Sequence, residues 1–178
     1  MPKIITISGK ARNGKDTFAN MLSNYFSITD KKAYIYHYAD PLKMCATNYY
    51  NWNGEKDEKG RSLLQWLGTE KVRANNPDAW IQIAREIICG TLFDADYVII
   101  PDARFPNEIE FWGDDLLTSI HVRRGAYLST LTEEQQMHES ETALDGYGFE
   151  FEVEAENLVQ LAEAATVVGA AILDKENN

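Results

Sequence analysis

The residues with the most chemical content lie together near the start of the chain: Gly9-Lys10-Ala11-Arg12-Asn13-Gly14-Lys15-Asp16-Thr17. Two glycines separated by four residues, with a lysine after the second, form the frame of a phosphate-binding loop. The glycines let backbone N–H groups turn toward one centre. A helix starting there adds partial positive charge, and Lys15 brings a point cation. The frame usually continues with Ser or Thr. Here Asp16 takes that place, and its carboxylate is assigned to Mg²⁺, directly or through water. A glycine turn that merely caps a helix is the bland alternative.

A second group is Val98-Ile99-Ile100-Pro101-Asp102-Ala103-Arg104-Phe105-Pro106-Asn107-Glu108. An acid at the C-terminal end of a buried strand stands where ligands bind in parallel sheets, so Asp102 is a second candidate for the Mg²⁺ shell. Arg104 could reach a phosphate as a bidentate donor. Glu108 would orient Arg104 or cap the next helix. The alternative is a capping and salt-bridge cluster. Arg61, Gln65 and Arg73 fall on roughly one helical face and suit a second anionic substrate, unless that helix is simply solvated. Trp66 and Trp80 fit the core better than base stacking. Arg123-Arg124 precede a polar stretch with His138-Glu139-Ser140-Glu141. Arginines at a strand end before such a stretch suit a lid over transferring phosphates. His138 suits hydrogen bonding in that lid, whereas His37 and His121 read as structural.

These residues need a frame to hold them. Lys3 to Ser8 is a short Ile- and Thr-rich strand, the glycine loop follows, and Phe18, Met21, Leu22, Tyr25 and Phe26 recur at helical spacing. Ala33 to Ala39 predicts a second strand, and Asp40-Pro41 a helix start with Asp40 as cap. Leu63, Leu64 and Leu67 predict a helix over about 61–74, and Asp78 caps another. Strands are predicted over 97–100, 117–122 and 149–153, with a mobile polar segment over 124–148 and a last helix lined by Leu158, Leu161, Ala165, Val168 and Ile172. Strands alternating with helices predict an α/β fold with a mainly parallel sheet.

The 178 residues are 44% hydrophobic and 25% charged, which suits one globular domain over 1–178. Net charge is −11, and residues 133–178 carry all of it, with twelve acids against one lysine. A non-specific nucleic-acid binder would carry the opposite sign. The acidic end reads as solvated surface. No apolar run approaches the roughly 20 residues that span a bilayer. Cys45 and Cys89 have no metal-ligand spacing and read as reduced thiols, which suits a cytoplasmic protein.

The segments ISGKARNGKDTFA, YADPLK, GRSLLQWLGTEKVR followed by PDAWI, VIIPDARFPNEIE, VRR and HESE occur in that order. Together they resemble the deoxynucleoside monophosphate kinases of the bacteriophage type, over roughly residues 3–145. The resemblance implies a P-loop NTPase three-layer sandwich of the nucleoside monophosphate kinase kind, with an acceptor-binding helical region over about 40–90 and a lid over about 123–148. It implies ATP- and Mg²⁺-dependent phosphorylation of a deoxynucleoside 5′-monophosphate, in host cytoplasm if the chain is phage-encoded. By it, Gly9 to Thr17 bind ATP. Asp40, Arg61, Gln65, Arg73, Trp80 and Glu108 serve the acceptor, and Lys15, Asp102, Arg104, Arg123 and Arg124 serve catalysis, with Asp16 and Asp102 on the metal. The partners implied are small nucleotides, with no nucleic-acid polymer and no membrane. Oligomeric state stays open, a homodimer included. Two other readings remain. One is a P-loop kinase for another phosphorylated small molecule, such as phosphomevalonate. The other is a nucleotide-binding module without catalysis.

Overall fold

The computed structural model describes residues 1–125, 129 and 131–176. Among them five strands form one sheet in the order β2-β3-β1-β4-β5, every neighbouring pair parallel. They are β1 (Lys3–Ser8), β2 (Ala33–Ile35), β3 (Tyr97–Ile100), β4 (Leu117–Arg124) and β5 (Phe151–Ala155). β1 lies at the centre, in register with β3 from Lys3↔Tyr97 to Thr6↔Ile100 and with β4 from Ile4↔Leu117 to Ser8↔His121.

Both faces of this sheet are covered, so β1 and β3 are apolar almost throughout rather than alternating. Ile5 and Ile7 point to one face, where Phe18, Leu22 and Phe26 of α1 (Lys15–Ile28) meet Leu161, Ala165, Val168 and Ile172 of the final helix, Leu158–Glu176. Phe26 stacks on Tyr97 with ring centroids 4.1 Å apart. Truncating a fully buried Leu22 to Ala there would cost about 2–5 kcal/mol. Ile4, Val98 and Ile100 contribute to the opposite face, against Ile81, Ala84 and Ile88 of the helix Ala79–Thr91 and Ile109 of Pro106–Glu110. The expected three-layer α/β sandwich with a parallel sheet is the architecture observed. We number the helices α2 (Ala39–Tyr50), α3 (Glu58–Gln65), α4 (Ala79–Thr91), α5 (Pro106–Glu110), α6 (Glu133–Met137), α7 (Glu139–Thr142) and α8 (Leu158–Glu176), with a π-helical segment, Trp66–Arg73, continuing α3.

Three local expectations are corrected. The strand over 33–39 stops at Ile35, because the Tyr38 and Ala39 amides donate to the Asp102 carboxylate instead of a strand neighbour. α2 therefore starts at Ala39 and Asp40 is not its cap. Asp78 does stand at the N-cap of α4, but its carboxylate accepts from Asn107 rather than from a helix amide. The polar segment contains two short helices, α6 and α7. Its residues 126–128 and 130, part of the predicted lid, lie outside the described residues.

The chain leaves β1 toward β2 on one side and leaves β3 toward β4 on the other. The crevice between the C-terminal ends of β1 and β3 is where such sheets bind ligands. The glycine loop and Asp102 flank it. Among the described residues, no helix is long and apolar enough to cross a membrane.

Candidate active site

The loop after β1 needs its glycines for two separate reasons. Gly9 has φ +143°, and a Cβ there would lie 2.2 Å from the Val122 carbonyl oxygen, so β4 passes too close for any side chain. Gly14 has φ +88° and is the left-handed N-cap that turns the chain into α1. Lys15 is buried and its ammonium folds back, donating to the carbonyls of Gly9 at 2.8 Å and Lys10 at 2.9 Å. Burial, with the Arg104 charge next, pushes its pKa down to about 7. Asp16, exposed at the first turn of α1, meets His37 Nε2 at 3.1 Å. That hydrogen bond holds Asp16 below the usual carboxylate range and raises His37.

A cavity of about 740 Å³ opens beside the loop. Seven Lys or Arg side chains line it against four Asp or Glu, although the whole chain carries −11. The loop side supplies Arg12, Lys15 and Asp16. The helical side supplies Arg61, Leu64, Gln65, Thr69 and Arg73. In a plain α-helix, positions four apart drift by about 40° per step, so Arg61 and Arg73 would diverge. The π segment has a wider turn and rotates less per residue. Its i→i+5 bonding (Ala74 N–H to Thr69 C=O, 3.0 Å) offsets the drift and brings the row to one wall. Trp80 is buried, its indole N–H donating to the Gly68 carbonyl at 3.2 Å, and its ring forms part of that wall. Trp66 is 41% exposed and lies edge-on to Tyr50 instead of entering the core.

Under the cavity, Asp102 and Glu108 organise backbone. Asp102 Oδ1 and Oδ2 accept from the Tyr38 and Ala39 amides, both at 2.9 Å, so Asp102 fixes the start of α2. Desolvation raises its pKa, and those amides pull against the rise. Glu108 accepts from the Arg104 and Phe105 amides with one oxygen and from Arg73 with the other, at 3.1 Å. Burial pushes it up to about 7. Three donors face it, so the carboxylate is the form the surroundings accommodate. Arg73 also donates to Asn107 and lies 3.7 Å over the Phe105 ring. Arg104 extends into the cavity and pairs with Glu141 at 2.7 Å.

The structure thus brings together Ala11, Arg12, Lys15, Asp16, Arg61, Gln65, Arg73, Trp80, Asp102, Arg104 and Glu108. Gly9 and Lys10 face a smaller cleft behind the loop. Asp40 is not in the lining; it pairs with Lys43 at 2.8 Å. Arg123 and Arg124 end β4, at the strand end expected of them, and neither lines the cavity. Arg123 pairs with Glu152 at 3.1 Å. Among the charged lining residues, Lys43, Lys56 and Glu141 carry no role in the sequence reading, and His37, read there as structural, lines the cavity against Asp16. His37 follows β2 at the same sheet end as the loop, which was a usable signal. Glu141 sits in the HESE motif without an assigned role, and nothing local places Lys43 or Lys56.

No family model matches the chain, and no curated protein matches it. Among solved structures, one similar chain is the Mycobacterium tuberculosis APS kinase CysC Cys556Ala mutant, at 12% identity and TM-score 0.45, the match covering 97% of this chain and 98% of that one. With that likeness so distant, function is carried by the site's own residues.

Proposed function

We propose that this protein transfers the γ-phosphoryl group of ATP to a deoxynucleoside 5′-monophosphate in an Mg²⁺-dependent reaction. The supporting observation is one cavity with cations on two walls, Lys15 of the glycine loop on one side and Arg61 and Arg73 on the other. Its volume of about 740 Å³ is in the range of small-molecule sites. The motif resemblance supplies the nucleotide class.

A monophosphate has a second pKa near about 6, so at pH 7 its attacking oxygen is mostly unprotonated and no strong general base is required. The protein's work is then alignment and charge neutralisation. Lys15 and Arg104 serve the transferring group, Arg12 stands beside them, and Arg61 and Gln65 orient the acceptor. Arg73 acts from beneath the wall, since Glu108 and Asn107 hold its guanidinium.

Among the described residues no cluster of three metal-ligating side chains exists. Mg²⁺ commonly binds through one or two carboxylates, waters and substrate phosphates, and Asp16, exposed beside Lys15 and oriented by His37, fits that need. Asp102 fits it less well, since both its oxygens already accept amides. When bound, the ion supplies positive charge to the phosphates.

The test is ADP release from Mg·ATP with and without each of dAMP, dGMP, dCMP, dTMP and dUMP, with ribonucleotides as controls. Stimulation by a deoxynucleotide with dNDP as product supports the reading. ATP binding with no stimulation by any nucleotide rejects it.

A further inference from the structure

The phosphate loop is not open to solvent on its Arg104 side, because Glu141 stands there. Its Oε1 accepts from Arg104 Nη1 at 2.7 Å and its Oε2 from the Ala11 amide at 3.3 Å. The side chain is only 8% exposed. Its backbone carbonyl accepts from the Lys10 ammonium, which also pairs with Asp145 at 2.5 Å. At its start, the segment 138–145 is tied to the helical wall. His138 Nε2 meets Glu70 of the π segment at 2.9 Å, and its Nδ1 accepts the Ser140 amide.

A loop amide and a guanidinium converging on two oxygens of one anion is the donor set that recognises a phosphoryl group. Lys15 is meanwhile folded onto the Gly9 and Lys10 carbonyls. The chain therefore satisfies these donors from within.

We propose that Glu141 is an internal competitor for the phosphoryl site: its carboxylate occupies the place of a phosphate oxygen, and an incoming polyphosphate must displace it from Ala11 and Arg104. The inference rests on the reading of this loop as a phosphate site. The apparent affinity is the intrinsic affinity reduced by the fraction of molecules in which Glu141 has left. A Glu141 that positions Arg104 for its ligand predicts the opposite sign, since its removal would weaken binding.

The experiment is calorimetric titration of the full chain with inorganic tripolyphosphate in metal-free buffer, for wild type and Glu141→Gln. If the carboxylate holds the site about nine-tenths of the time, Glu141→Gln binds about tenfold tighter. In an Arg104→Gln background the same substitution gains only about fourfold, because half of the competing contact is already gone and the ratio of occupied to open falls from about nine to about three. Glu141→Asp keeps the charge but shortens the reach. It also tightens binding, and it carries the test if Glu141→Gln does not fold. Equal or weaker binding by the folded variants overturns the inference. Tripolyphosphate needs no acceptor, so failure of deoxynucleotide phosphorylation leaves this result standing. Absence of tripolyphosphate binding in every variant would overturn the inference together with the phosphate-site reading.

Discussion

The two walls of the cavity are built on different principles. The glycine loop works within nine consecutive residues: Gly9 and Gly14 supply the backbone shape, and Lys15 bonds to carbonyls five and six residues back. The opposite wall draws on α3, the π segment, α4 and the turn after β3, and its Arg73 is committed to residues from another element. Arg73 is spent on Glu108 and Asn107, and Arg61 Nε donates to the Lys56 carbonyl. A cation in a local motif can be assigned from its neighbours in sequence. A cation in a wall assembled from distant segments cannot, because what it pairs with decides whether any charge is left for a ligand.

The sharpest way to break this contrast is Arg73→Ala. Arg73 and Glu108 are 10% and 5% exposed, so removing one partner strands a buried charge, at about 3–5 kcal/mol. Urea unfolding should show that loss. Replacing the pair together, Arg73→Met with Glu108→Leu, should cost less than Arg73→Ala. If Arg73→Ala instead keeps its stability and loses acceptor affinity alone, the wall's arginines are as available as the loop's lysine, and the contrast fails.

Lys15→Ala probes the loop side, and Arg104→Ala the arginine that the turn after β3 extends toward it. Each removes a cation assigned to the transferring phosphoryl group, so kcat should fall at least ~100-fold, or about 2.7 kcal/mol. Near-normal turnover by either variant in the coupled ADP assay would sink that assignment.

How far the molecule is legible in its sequence follows from the same contrast. β1 and β3 could be read as short continuous apolar runs, buried on both faces, and α1 because its apolar residues follow one helical period. The loop could be read because glycine positions encode backbone geometry directly. The strand over 33–39 was overextended because Asp102, more than sixty residues away, takes the amides of Tyr38 and Ala39. The common wall of Arg61 and Arg73 depends on a π segment that no residue pattern announces. Glu141 was visible as part of a motif, but its place beside Ala11 depends on a fold contact spanning 130 residues.

The depressed pKa of Lys15 gives the loop a signature in stability. Held at about 7 against 10.5, the folded form gives up its proton first. Between those values the unfolded chain binds a proton that the folded chain does not. The stability present above pH 10.5 is therefore lost as pH falls toward 7. Unfolding free energies at pH 7 and pH 8.5 should show wild type gaining on the order of 1–2 kcal/mol relative to Lys15→Met. Parallel pH profiles would mean that Lys15 is not desolvated as its burial implies.

The smallest effect is expected at Arg123, and there stability and kinetics test different things. Its side chain is 52% exposed at the end of β4, and it pairs with equally exposed Glu152 on β5. Such a pair is screened by water and held at the expense of side-chain entropy, so Arg123→Gln should shift unfolding by under about 1 kcal/mol. Kinetics then test the catalytic role that the resemblance implies for Arg123. A change in kcat of a few-fold would match the position of Arg123 outside the cavity. A 100-fold fall with stability retained would mean that β4 delivers this arginine to the phosphates when nucleotides bind. The loop wall would then also depend on distant segments, and the difference between the two walls would hold for the empty protein alone.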